Sequence, residues 1–157
     1  MNKAAPVVGN PAPPFMLSTD TGDAVSLDDY KGKSVVLYFY PKDDTSSCTV
    51  EACEFRDGMP RFKKGKAVIL GISPDSVKSH QKFSEKFDLN FTLLADIDHA
   101  VAERYGVWQE KTLYGRKYMG VERTTFLIDG KGVLRKVFEK VKSAGHADEV
   151  AAAIAAL

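Results

Sequence analysis

Short blocks of unbroken apolar residues alternate along this chain with amphipathic stretches, and their order defines an α/β architecture. Val35-Val36-Leu37-Tyr38-Phe39-Tyr40 is a run of β-branched and aromatic residues, the pattern of a strand buried on both faces, and Pro41 ends it. Val68-Ile69-Leu70-Gly71-Ile72 is a second such run. The segment between them, about Ser46 to Phe62, suits one helix, so the three form a βαβ unit with parallel strands. A further helix is predicted from about Asp75 to Phe87, followed by a short strand at Phe91-Thr92-Leu93-Leu94. Upstream, Phe15 to Leu27 alternates around Thr21-Gly22-Asp23, a β-hairpin expected at a sheet edge. Downstream, Thr124 to Ile128 and Val133 to Val141 flank Asp129-Gly130-Lys131-Gly132, a second hairpin, and Ala147 to Leu157 reads as an Ala-rich helix. The order is that of a thioredoxin-like α/β sandwich: a central mixed β-sheet flanked by helices, with an N-terminal β-hairpin.

No repeat or domain-separating linker interrupts this order, so residues 1–157 are expected to form a single domain, with the Pro-rich stretch Met1 to Pro14 its only loose segment. Lys plus Arg total 22 and Asp plus Glu 21, which leaves no global field to attract nucleic acid or an anionic membrane. Aromatic and basic residues do alternate from Lys111 to Tyr118, but at this net charge Trp108, Tyr114 and Tyr118 are expected to serve packing. No apolar run approaches the roughly 20 residues of a membrane helix, and the first residues lack a signal-peptide core, so a cytoplasmic protein is expected. In such a compartment the two cysteines are two free thiols or one redox pair. His80, His99 and His146 have no metal-ligand spacing, and no phosphate loop, nucleotide fingerprint or Ser-His-Asp elbow is present, so neither metal nor bound cofactor is expected.

The chemistry concentrates in Pro41-Lys42-Asp43-Asp44-Thr45-Ser46-Ser47-Cys48-Thr49-Val50-Glu51-Ala52-Cys53, directly after a buried strand, where α/β folds place ligands. Thr45 or Ser46 is a candidate N-cap, which sets Cys48 in the first helical turn. The thiolate is the nucleophilic form of cysteine, and free N–H groups and the positive helix end both favour an anion. The same donors can hold a substrate oxygen and the negative charge that develops on it. The Thr45 hydroxyl can bond the thiolate or a substrate oxygen. Glu51, Glu54, Arg56 and Asp57 are read as a solvated helix face with local ion pairs.

This segment resembles the Pro-x-x-x-Thr-x-x-Cys signature of peroxiredoxins, and Thr-x-x-Cys-Thr-x-Glu-Ala-Cys-x-Phe-Arg-Asp is similar to the bacterioferritin comigratory protein, or PrxQ, group. The likeness extends from Gly9-Asn10-Pro11-Ala12-Pro13 through Tyr105-Gly106-Val107-Trp108 to Arg123-Thr124-Thr125-Phe126-Leu127-Ile128-Asp129. It implies a thiol-dependent peroxidase with Cys48 as the peroxidatic cysteine, Cys53 as its resolving partner, Thr45 as hydroxyl partner, Pro41 as a shield against water and Arg123 as the pocket arginine. It implies hydroperoxide substrates, recycling by thioredoxin or a similar dithiol, no cofactor, and a monomer. One position departs: the group usually has Gly where Ser47 stands, and a backbone needing positive φ there would strain serine. Two other functions use related parts, a thioredoxin-like disulfide reductase and a non-enzymatic redox sensor. The reductase usually needs Cys-x-x-Cys, whereas four residues separate Cys48 from Cys53.

Overall fold

A computed structural model describes residues 5–157. Its main sheet has seven strands: β1 (Met16–Thr19), β2 (Ala24–Ser26), β3 (Ser34–Phe39), β4 (Ala67–Ser73), β5 (Thr92–Ala95), β8 (Thr124–Ile128) and β9 (Leu134–Phe138), in the spatial order β2-β1-β5-β4-β3-β8-β9. β3, β4 and β5 are parallel, and the remaining pairings are antiparallel. The mixed sheet, the edge hairpin β1–β2 and the parallel β3–β4 pair all match the sequence pattern. Alternation along β3 and the residue after it feeds both faces: Val35, Leu37 and Phe39 join the core on one side, and Val36, Tyr38 and Tyr40 join the other. Gly71 is required on β4, because a Cβ there would lie 2.9 Å from the Tyr38 ring that crosses it.

Helices α1 (Ser46–Asp57), α2 (Met59–Lys64), α3 (Val77–Phe87) and α5 (His146–Ala155) cover the Tyr38 face. The short helix α4 (Ala100–Arg104) covers the other face with Val101 and Ala102. The single helix expected from Ser46 to Phe62 is therefore two. Gly58 caps the first, and Pro60, which lacks an N–H, falls in the first turn of the second, where that loss costs nothing.

Two further expectations are corrected. Residues 1–4 of the N-terminal arm lie outside the described residues, but the following part is not loose. Gly9 N–H donates to the Leu134 carbonyl at 2.8 Å and Ala12 N–H to the Gly132 carbonyl at 2.9 Å, while Ala12 and Phe15 are buried. Prolines keep this arm from becoming a full edge strand, not from pairing. The second correction concerns a separate antiparallel hairpin, β6 (Trp108–Leu113) with β7 (Arg116–Val121), where periodicity gave no strand. Tyr114 at its turn is 96% exposed and Tyr118 47%, so these two do not serve packing. Trp108 does: it is half-buried and stacks on His99 with ring centroids 3.9 Å apart.

Candidate active site

Strand register brings the site together. Phe39 at the end of β3 pairs with Thr124 at the start of the antiparallel β8, so Arg123, one residue before β8, stands beside the loop that leaves β3. That loop runs through Pro41, half-buried, and Asp44, whose φ of 58° lies in the left-handed region that aspartate tolerates better than most residues. It ends at Thr45, the N-cap of α1, with extended backbone. The Thr45 hydroxyl does not cap the helix. It donates instead to the Lys42 carbonyl at 3.1 Å, which leaves its lone pairs available as acceptors.

Cys48 is the third residue of α1 and only 2% exposed. Thr49 N–H bonds back to the Thr45 carbonyl at 2.9 Å, so the N–H groups of Ser46, Ser47 and Cys48 precede the first helical bond and point toward the site. Arg123 reaches the same place: Nη2 lies 3.1 Å from Cys48 Sγ and 3.0 Å from Ser47 Oγ. A fixed guanidinium on the sulfur favours the anion. Ser47 has a helical backbone and no positive φ, so the serine at this position is unstrained, and its hydroxyl adds a contact that glycine could not make.

Glu51 was missed. Far from belonging to a solvated face, its side chain is fully buried, and Oε1 accepts from Arg123 Nη1 at 2.5 Å. Positions 48, 51, 52 and 55 form the buried stripe of α1, and that i, i+3, i+4 spacing was the available signal. Burial pushes the Glu51 carboxyl up to about 7, against the pull of the Arg123 guanidinium. A carboxyl raised from 4.5 to about 7 by folding binds more protons in the fold than in the unfolded chain across that interval. Its stabilising contribution is complete below pH 4.5 and is lost as pH climbs through 7. Glu51→Gln is neutral throughout. Urea denaturation across that window is expected to show the stability difference moving against wild type by up to about 1.4 kcal/mol per pH unit. A pH-independent difference would show that Glu51 stays ionised throughout.

The other acidic and basic residues of α1 divide. Glu54 accepts from Gly145 N–H at 2.8 Å, and Arg56 makes the local ion pair with Asp57 at 3.0 Å that the sequence suggested. Cys53, the eighth residue of α1, is half-buried and unbonded to Cys48. Asp43, Asp75 and His80 bring potential ligand atoms within 4.8 Å of one another, but hydrogen bonds already engage them: His80 Nδ1 with Asp43 at 2.7 Å, and Asp75 with Ser73 and the Asp43 N–H.

A thioredoxin-like sandwich that holds a cysteine at a helix start, with a cap threonine upstream and an arginine from a neighbouring strand on the sulfur, defines the peroxiredoxin class of thiol-dependent peroxidases. Comparison with known proteins agrees. The chain belongs to the AhpC/TSA family, whose pattern matches residues 8–137. It is 52% identical to the peroxiredoxin Bcp of Bacillus subtilis and 46% identical to that of Escherichia coli, over 90% of this chain and 90–91% of theirs. Among solved structures it is similar to the Xanthomonas campestris bacterioferritin comigratory protein, studied for alkyl peroxide reduction, with TM-score 0.87 and 44% identity over 90% of both chains. It is also similar to a Cys-to-Ser mutant of Xylella fastidiosa PrxQ, with TM-score 0.92 and 35% identity over 98% of both. Among the described residues no helix is long and apolar enough to cross a membrane.

Proposed function

We propose that this thiol peroxidase, acting as a single monomeric domain in the cytoplasm, uses Cys48 as its nucleophile and Cys53 as its resolving thiol. The observation that carries the reading is the Arg123 guanidinium 3.1 Å from Sγ of a cysteine in the first turn of α1. Sγ attacks one oxygen of the hydroperoxide, the O–O bond breaks, and the leaving oxygen departs as water or an alcohol, giving Cys48 sulfenic acid. Helix N–H groups, with the Arg123 guanidinium beside them, hold the peroxide and the charge on the leaving oxygen. Thr45 Oγ1 accepts from the peroxide O–H while its own hydroxyl keeps donating to the Lys42 carbonyl, and Pro41 screens the site from water. The Cys53 thiol then displaces hydroxide from sulfur, releasing water and forming the disulfide, which thioredoxin or a similar dithiol reduces. Rapid, catalytic NADPH oxidation with thioredoxin, thioredoxin reductase and hydroperoxide tests this; slow, stoichiometric oxidation would instead indicate a sensor.

The disulfide demands a change of shape. Five residues along an α-helix separate two Cα atoms by about 8.6 Å, beyond the roughly 4.4–6.8 Å that a disulfide spans, and α1 is continuous from Ser46 to Asp57. One equivalent of peroxide is expected to lower the helical far-UV dichroism and speed amide exchange between Ser46 and Asp57, with neither change in Cys53→Ser. An oxidised protein that kept α1 intact would exclude Cys53 as the partner.

A further inference from the structure

The loop before Cys48 is tied down at one residue far more firmly than anywhere else. Asp43 is buried, and its carboxylate takes three bonds: from the Tyr40 hydroxyl to Oδ1 at 2.6 Å, and from Ser79 Oγ at 2.8 Å and His80 Nδ1 at 2.7 Å to Oδ2. His80 is fully buried, and its Nε2 lies 2.9 Å from the Leu94 carbonyl, which can only accept. Nε2 therefore donates to that carbonyl, which leaves Nδ1 facing Asp43 Oδ2. The Asp43 N–H donates to Asp75 Oδ2 at 2.8 Å, and Asp75 is held in turn by Ser73 Oγ at 2.6 Å. One residue is thus fastened to the ends of β3 and β4, to α3 and, through His80, to β5.

The hold stops abruptly at the next residue. Asp44 turns through a φ of 58° and has a solvent-exposed pair with Lys86, a contact of little energetic weight. Thr45 and the first turn of α1 follow. The segment that must melt for Cys48 to reach Cys53 therefore begins immediately beyond a clamped residue.

We infer that the Asp43–His80 cluster is a positioning device that keeps the Cys48 turn seated, and so sets how the sulfenic acid divides between resolution and over-oxidation. The inference rests on the proposed role of Cys53. In the seated state, a second hydroperoxide can transfer oxygen to Cys48 sulfenic acid, giving the sulfinic acid plus water or alcohol. In the opened state, the Cys53 thiol condenses with the same sulfenic acid and releases water. Loosening the clamp favours opening, because residues 41–45, including the carbonyl that holds Thr45, no longer return to one position.

The test uses the full chain with Tyr40→Phe and Ser79→Ala combined, which removes two of the three side-chain bonds on Asp43 but keeps the Tyr40 ring in the core. Stopped-flow and intact-mass measurements would give the sulfenate-to-disulfide rate and the sulfinate formed per turnover at fixed peroxide. Resolution is expected to rise about tenfold and sulfinate per turnover to fall by the same factor. Asp43→Asn, which can still accept from Tyr40 and donate to His80, is expected to keep the wild-type division, whereas Asp43→Ala shifts it as the double variant does. If the double variant lost thermal stability with an unchanged division, the cluster would be structural only and the inference overturned. If oxidised wild type formed no Cys48–Cys53 disulfide, the Cys53 reading would fail and this inference with it.

Discussion

Cys48→Ser is expected to reduce peroxide consumption to background, while Cys53→Ser keeps a fast first reduction and then stalls. The asymmetry comes from position on one helix. Cys48 lies in the first turn among unbonded N–H groups, with a guanidinium on its sulfur, whereas Cys53 is five residues further on, where backbone N–H groups are spent on helical bonds. A serine hydroxyl at 48 is not ionised near pH 7 and cannot take its place. Single-turnover stopped-flow on both variants decides it: a fast phase that survived Cys48→Ser and vanished in Cys53→Ser would reverse the roles.

Arg123→Met should produce the next largest effect, on activity and stability together. Removing a donor aimed at developing charge typically costs about 10²–10³ in rate, and Arg123 also supplies the cation on Sγ. The same change leaves Glu51 buried and unpaired, and breaking a buried pair from one side costs about 3–5 kcal/mol. Because burial already lifts the Glu51 carboxyl to about 7, the variant can relieve the strain by protonating it, so its stability deficit should be smaller at pH 5 than at pH 8. Adding Glu51→Gln should restore most of the stability and none of the rate. Peroxide turnover and urea denaturation at the two pH values measure both effects. A double variant that regained activity would show that the guanidinium matters only as a partner for Glu51.

The elements legible in the sequence are those whose signal is local. The runs Val35–Tyr40 and Val68–Ile72 are apolar at every position because parallel strands are buried on both faces, and composition alone shows this. The Asp-Gly turn after Ile128 and the Ser/Thr-rich lead into Cys48 are likewise written in neighbouring residues. The boundary at Gly58 was equally local, carried by Gly58 and Pro60, yet the surrounding helical periodicity hid it. The hairpin β6–β7 stayed hidden for a different reason: most of its side chains are exposed, so no apolar alternation marks its strands.

The place of Cys48, the proposed nucleophile, at a helix start was determined by the sequence itself, since capping residues and a strand-stopping proline act over a few positions. The company that cysteine keeps was decided by tertiary structure. Arg123 meets Cys48 across 75 residues because the antiparallel register of β3 with β8 sets Thr124 against Phe39. Glu51 changes from a solvated charge to a buried counter-ion only because that arginine arrives above the inward stripe of α1. His80 joins Asp43 because α3, packed on β5, reaches the loop that leaves β3. An isolated charge would be too costly to bury at either place, so its burial depends on a partner brought from a distant part of the chain, which local pattern does not encode.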